Sequence, residues 1–234
     1  MRRCLLLVCL PALACGPERE APKAAGEAHA FDAGAAGVTR VDSAAGRHAR
    51  IIPLGPMSDV QVLFGDPEKA GEPFVIRIRE LPGTLIPPHS HPVDEHITVV
   101  QGSFLFGMGE KWDLVGVQVL QPGAYAFAPA GSTMYGGSPE GAIVQVHGIG
   151  PFHIRWRNGL HTLDDADAAA HFRYRRGDRV RARLADPFAR RGSTPTIIPG
   201  VIQHGYGSGD IIQYEVRPDT GGAFMASERD IQRP

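Results

Sequence analysis

Between Val60 and His147 the chain is a succession of short apolar-alternating runs, each closed by a glycine or proline turn. This punctuation limits the fold more than any other feature. The runs are Val60–Phe64, Phe74–Arg79, Ile97–Val100, Ser103–Phe106, Val115–Leu120, Ala124–Phe127 and Ala142–His147. Pro82-Gly83, Gln101-Gly102, Pro122-Gly123, Pro129-Ala130-Gly131 and Gly136-Gly137-Ser138-Pro139 separate them as turns. Runs this short, rich in β-branched residues and without a helical period, predict an antiparallel sandwich or barrel. With 29 Gly and 20 Pro in 234 residues, a helical bundle is disfavoured. A formal net charge of −1 removes any global argument for nucleic-acid binding.

One constellation inside this region carries chemistry: Pro87-Pro88-His89-Ser90-His91-Pro92-Val93-Asp94-Glu95. His89 and His91 are two apart, so in an extended segment both imidazoles point to the same face. Pro92 breaks the run and Glu95 opens the next strand, with Glu95 inward, His96 outward and Ile97 inward. Two imidazoles and a carboxylate converging inside a barrel are the donor set of a facial triad for a divalent metal, with positions left open. Iron, manganese, nickel or zinc suits these donors; calcium does not.

The run Gly83-x5-His89-x-His91-x3-Glu95-x6-Gly102 resembles the first motif of the cupin superfamily, and Gly123-x5-Pro129-x-Gly131 resembles the start of its second. The resemblance covers about half the chain. It implies a jelly-roll barrel of six to eight strands holding a metal on His89, His91 and Glu95. In metal-binding cupins the second motif supplies a further histidine and then an asparagine, where this chain has Met134 and Ser138. Met134 reads as a filler of the space an imidazole would take, and His147 as the alternative fourth ligand. His96 has the wrong parity and is expected at the surface. His153 and His161 have no partner at ligand spacing and read as structural or solvent-facing.

The first residues, Met1-Arg2-Arg3 followed by Cys4–Leu10 and Pro11-Ala12-Leu13-Ala14-Cys15, have the basic, apolar and small-residue order of an export signal over 1–14. Ala12-Leu13-Ala14-Cys15 resembles the lipobox of bacterial lipoproteins, which implies a lipid on Cys15, a membrane surface as partner and a periplasmic location; an ordinary signal peptide is the alternative. All three cysteines lie in these fifteen residues, so the folded part has no disulfide. Residues 16–49 hold 11 Ala and 5 Gly, too little apolar surface to offset the entropy of ordering, and 15–49 reads as a disordered tether.

Beyond Asn158-Gly159, Asp164–Ala170 suggests one short helical turn capped by an aspartate. Arg179, Arg181 and Arg183 then alternate with Val180, Ala182 and Leu184, a strand with one cationic and one apolar face. Runs at Thr196–Ile198, Ile211–Val216 and Ala223–Ala226 supply further strands. Arg176-Gly177-Asp178-Arg179-Val180, with Gln213–Val216, resembles small SH3-like or Tudor-like barrels. Residues 172–192 hold eight Arg against two Asp, and the favoured reading of that excess is a solvated strand face rather than a site for an anionic partner.

The expected fold is therefore all-β: a cupin jelly-roll barrel at 50–158, a linker at 159–171 and a small SH3-like β-barrel at 172–227, behind a disordered N-terminal segment. The expected function is an exported, metal-binding barrel that takes a small molecule in a binding or sensory role. The alternative is a metal-dependent enzyme of dioxygenase, isomerase or decarboxylase type. Asp94 and Tyr135 are the nearest candidates for a further acid–base group. A small-molecule ligand or substrate and a second copy of the chain are the other partners considered; nucleic acid is not.

Overall fold

The computed structural model describes residues 47–48, 58–184 and 195–234. The export signal, Cys15 and the tether, apart from Arg47–His48, lie outside the described residues.

The first part of the chain folds into eleven strands: β1 (Arg47–His48), β2 (Ser58–Phe64), β3 (Pro73–Glu80), β4 (Thr84–Ser90), β5 (Glu95–Gly102), β6 (Phe104–Met108), β7 (Gln118–Leu120), β8 (Tyr125–Ala128), β9 (Met134–Ser138), β10 (Ala142–Ile149) and β11 (Arg155–Trp156). They form two antiparallel sheets, ordered β1-β2-β3-β10-β5-β8 and β11-β4-β9-β6-β7. This is the jelly-roll arrangement. Burial alternates along β3, β5 and β10, as a sheet with one covered face requires. Phe74, Ile76, Ile97, Val99, Val144 and Val146 face the interior from the first sheet and meet Phe104, Phe106 and Met134 from the second. Each such side chain contributes about 1.5–3 kcal/mol by leaving water, which makes this core the main support of the barrel.

Two expectations about the strands are corrected. Val115–Leu120 is not one strand: only Gln118–Leu120 pairs, as β7, and Val115 is 93% exposed. The Val115 N–H is taken by Asp113 Oδ1 at 2.9 Å, a local turn that replaces the ladder. Gly136-Gly137-Ser138 is not a turn but lies in β9, between β4 and β6. A Cβ at Gly136 would sit 2.6 Å from the Leu105 carbonyl oxygen, and one at Gly137 2.5 Å from that of Thr84. Glycine stands here because neighbouring backbones approach too closely for a side chain.

The remaining elements are β12 (His161–Thr162), the single-turn helix α1 (Ala168–His171), β13 (Arg179–Arg183), β14 (Ile197–Ser208), β15 (Ile211–Pro218), β16 (Phe224–Ser227), a 3₁₀ turn (Glu228–Asp230) and β17 (Ile231–Gln232). They build a third antiparallel sheet, ordered β16-β15-β14-β13-β17, with β12 added along β14. Its own core contains Phe172, Tyr174, Val180, Ile202, Tyr214 and Val216. Along β13 the arginines are exposed while Val180 and Ala182 are buried. Arg179 pairs with Asp219 at 2.6 Å and Arg183 pairs with Asp230, so acids on neighbouring segments answer part of the cationic face. Asp167 stands at the N-cap of α1, but its side chain makes no capping hydrogen bond; it turns to His171 instead.

The described residues all belong to one compact unit. The third sheet meets the barrel at the start of β4. Gln213 accepts the Leu85 N–H at 2.8 Å on Oε1 and donates from Nε2 to the Gly83 carbonyl at 2.9 Å. The Tyr206 hydroxyl donates toward the Leu85 carbonyl and Gln213 Oε1. Met225 donates its N–H to the Pro82 carbonyl at 2.7 Å. Tyr206 and Met225, both fully buried, pack on Leu81 and Leu160. The segment leading into the histidine-bearing strand is thus gripped by the C-terminal sheet. Among the described residues no helix is long and apolar enough to cross a membrane.

Candidate metal centre

β4 carries His89 near its end. Pro87 and Pro88 lack an N–H for the ladder, and the β4–β9 register shifts between Ile86 and His89, where those donors would otherwise be needed. The next segment is locked against the loop before β9. Gly131 donates its N–H to the His91 carbonyl at 2.7 Å, and Asp94 Oδ1 accepts the Ala130 N–H at 2.8 Å. Asp94 thus fastens the turn, and it is exposed outside the lining of the cavity that holds the histidines. Glu95 opens β5 opposite Ala128 of β8.

His89, His91 and Glu95 are all buried, at 6%, 3% and 5% exposure, and all three line one cavity. The alternation expected of β5 holds: Glu95 and Ile97 are buried and His96 is half-buried on the other face. The ring centroids of His89 and His91 are 5.1 Å apart. His91 Nε2 lies 3.6 Å from Glu95 Oε2. Each imidazole presents Nδ1 to a backbone carbonyl, His89 to Pro87 at 2.8 Å and His91 to His153 at 2.9 Å. A carbonyl only accepts, so each Nδ1 carries the proton and each Nε2 keeps a free lone pair. This is how metal-ligating histidines are oriented. Phe152 stacks on the His91 ring at 4.1 Å, and Trp156 lies 5.2 Å from that of His89.

The electrostatics point the same way. Burial pushes the Glu95 carboxyl up to about 8. Burial lowers His89 to about 4, and burial together with His89 lowers His91 to about 3. At neutral pH all three are uncharged in the metal-free chain. Glu95 Oε2 is fully buried and has no hydrogen-bond partner. A buried carboxyl oxygen left without a partner beside a free imidazole nitrogen is costly, and an ion that draws both as ligands relieves that cost. The donor set fits a borderline divalent ion.

Met134 is buried in the cavity wall, in the role of a filler. His147 does not complete the site: it stands opposite His96 in the ladder and stacks on it at 4.8 Å, on the outer face of the sheet. The parity of β10, with Val144 and Val146 inward, decides this. Tyr135 lines the cavity, but its hydroxyl donates to the Asp113 carbonyl at 3.2 Å. The cavity, about 40 Å³ itself and about 470 Å³ with the open solvent at its mouth included, is otherwise walled by Ile86, Phe104, Phe106 and Val146. Sequence reasoning missed Glu80, a second buried acid in the wall. It ends the alternating β3 run on the buried parity, and that parity was its signal. The reading of His161 is also corrected: it has a partner, His171, whose ring stacks on it at 3.6 Å.

No family model and no curated protein matches the chain. Solved structures do. A protein of unknown function with a cupin-like fold from Ralstonia eutropha matches at 25% identity and a TM-score of 0.37, over 47% of this chain and 66% of that one, just under two thirds of its length. The polyketide cyclase RemF of Streptomyces resistomycificus matches at 20% identity and a TM-score of 0.41, over 50% and 82%. An RmlC-like cupin from Shewanella frigidimarina matches at 19% and 0.38, over 46% and 86%.

Proposed function

We propose that this chain is an exported metal-binding protein that holds a divalent ion on His89, His91 and Glu95 and takes a small ligand into the barrel beside it. The observation that carries the reading is the orphaned Glu95 Oε2 facing His91 Nε2, with both histidines tied by Nδ1 to backbone carbonyls. When bound, the ion would supply a Lewis-acidic point with open positions at the polar end of a largely apolar cavity. The cavity walls suit a small molecule with an apolar body and one oxygen donor. Residues 1–15, read as a basic and apolar signal closing on Cys15, support export and a lipid tether to a membrane.

Elemental analysis of the purified chain, beside a His89→Ala/His91→Ala variant, tests the site. The variant should hold one equivalent less metal than the parent; equal metal in both overturns the assignment. Glu80, a second buried acid in the same wall, favours a catalytic reading beside the binding one. Substrate-dependent oxygen uptake that disappears in Glu80→Gln, with the metal retained, distinguishes an enzyme from a binding module.

A further inference from the structure

The strand β12, the turn after it and α1 bring together four side chains at symmetric spacing: His161-x3-Asp165-x-Asp167-x3-His171. The described chain holds them on a fixed frame. β12 is paired to β14 at His161–Gly207 and Thr162–Tyr206, and the Leu163 N–H reaches the Gly205 carbonyl at 3.1 Å. Asp165 is consumed by the turn: its Oδ2 accepts the Thr162 N–H and its Oδ1 the Thr162 hydroxyl, both at 2.9 Å. Ala168 and Phe172 are buried in the core of the C-terminal sheet, which seats α1 and turns His171 outward. The Asp167 side chain makes no cap to the helix and places Oδ2 3.3 Å from His171 Nε2. The His161 and His171 rings stack at 3.6 Å and 15°. One donor atom from each of His161, Asp167 and His171 lies within 4.8 Å of the other two.

We propose that His161, Asp167 and His171 form a second metal site, for a borderline divalent transition-metal ion such as zinc or nickel, where the connector closes on the C-terminal sheet. Two imidazole nitrogens and one carboxylate oxygen are the donor set such ions take, with water completing the shell; calcium and magnesium want oxygens throughout. A tetrahedral ion with bonds of about 2.0–2.1 Å separates its donors by about 3.3 Å. The Asp167–His171 pair already stands at that separation. His161 has to close by at most about 1.5 Å and open its stack on His171. Neither histidine is buried and Asp167 is exposed, so ring rotation meets little packing resistance. The bound ion would join the two ends of the connector and stabilise the native chain by mass action. This site is independent of the barrel reading, shares no residue with it, and stands or falls without it.

The test uses the full chain, stripped of metal and titrated with Zn²⁺ by calorimetry, together with histidine-ring NMR and thermal melting. The His89→Ala/His91→Ala protein isolates the connector. It should still bind Zn²⁺, shift the ring resonances of His161 and His171, and melt at higher temperature in its presence. Adding His161→Ala/His171→Ala should abolish these responses. Asp167→Asn, a milder change at an exposed position, should weaken Zn²⁺ binding by about tenfold or more. Unchanged affinity in Asp167→Asn, or ring resonances that do not move while Zn²⁺ binds, overturns the proposal. Loss of one equivalent of Zn²⁺ in His161→Ala/His171→Ala alone, with the equivalent that depends on His89 and His91 retained, supports it and leaves the barrel site standing.

Discussion

Among the described residues two clusters of histidine and acid stand apart, one buried in the barrel and one on the connector. Comparing them shows what burial does to the same donors. In the barrel, both histidines are pushed down and the glutamate up by desolvation, and one carboxylate oxygen has no partner. Backbone carbonyls hold both imidazoles, and Phe152 stacks on that of His91. At the connector, Asp167 is exposed, both histidines are only partly covered, and the carboxylate already meets an imidazole. The connector's donors close within 4.8 Å, whereas the barrel triad lies outside that limit. Burial thus pre-orients lone pairs and stores a cost that an ion relieves. Exposure leaves the donors free to collapse onto one another, so there an ion must compete with solvent and with the existing hydrogen bond.

The first way to break this contrast is Phe152→Ala. Removing a buried ring should cost about 3–5 kcal/mol in denaturant unfolding. It should also loosen His91, lowering barrel metal uptake while Zn²⁺ binding at the connector is unchanged. Equal losses at both clusters would show that the two are not separate.

A second, slightly smaller effect lies in pH. Between about 4.5 and 8 the folded, metal-free chain keeps a proton on Glu95 that the unfolded chain has lost, so stability falls as pH rises through that window. His89 and His91 act oppositely: from about 3–4 up to 6.5 the unfolded chain binds more protons, so stability climbs. The metal-free protein should therefore be most stable near about pH 6.5. Glu95→Gln should remove the descending limb, a gain of up to about 4 kcal/mol at pH 8–9. Chemical denaturation at a series of pH values measures it, and a descending limb that survives in Glu95→Gln rejects the assignment of the raised group.

Next comes Gln213→Leu, which strands the Leu85 N–H and the Gly83 carbonyl at the start of β4. The expected loss is about 2–3 kcal/mol, with weaker metal retention in the barrel if the C-terminal sheet positions that strand. Smallest of all, His171→Ala without metal should change stability by less than about 0.5 kcal/mol, because the side chain is 33% exposed and its main contact is one stacked ring. A larger loss would mean that the stacked pair is structural in its own right.

Much of the barrel was legible from alternation and turns. β3, β5 and β10 stand where period-two patterns placed them, because a strand with one covered face must alternate; β6 stands where its run placed it but is buried on both faces. The failures have a common cause. Val115–Val117 alternates without a ladder partner, since Asp113 takes the N–H, and Gly136-Gly137 looks like a turn because close backbone approach demands the same residue. The connector cluster was missed because its signal is a spacing across a turn and a helix, which no single period displays.

The sequence by itself determined which side chains of β5 share a face, because pleating assigns parity residue by residue and needs no partner. It also determined that Glu95 and His96 would part company. Only the tertiary structure decided that His147 turns outward against His96, that Glu80 joins the cavity, that Gln213 grips the strand carrying His89, and that His161 meets His171. Those outcomes depend on which segments become neighbours, and that is set by the burial of whole sheets rather than by any local run.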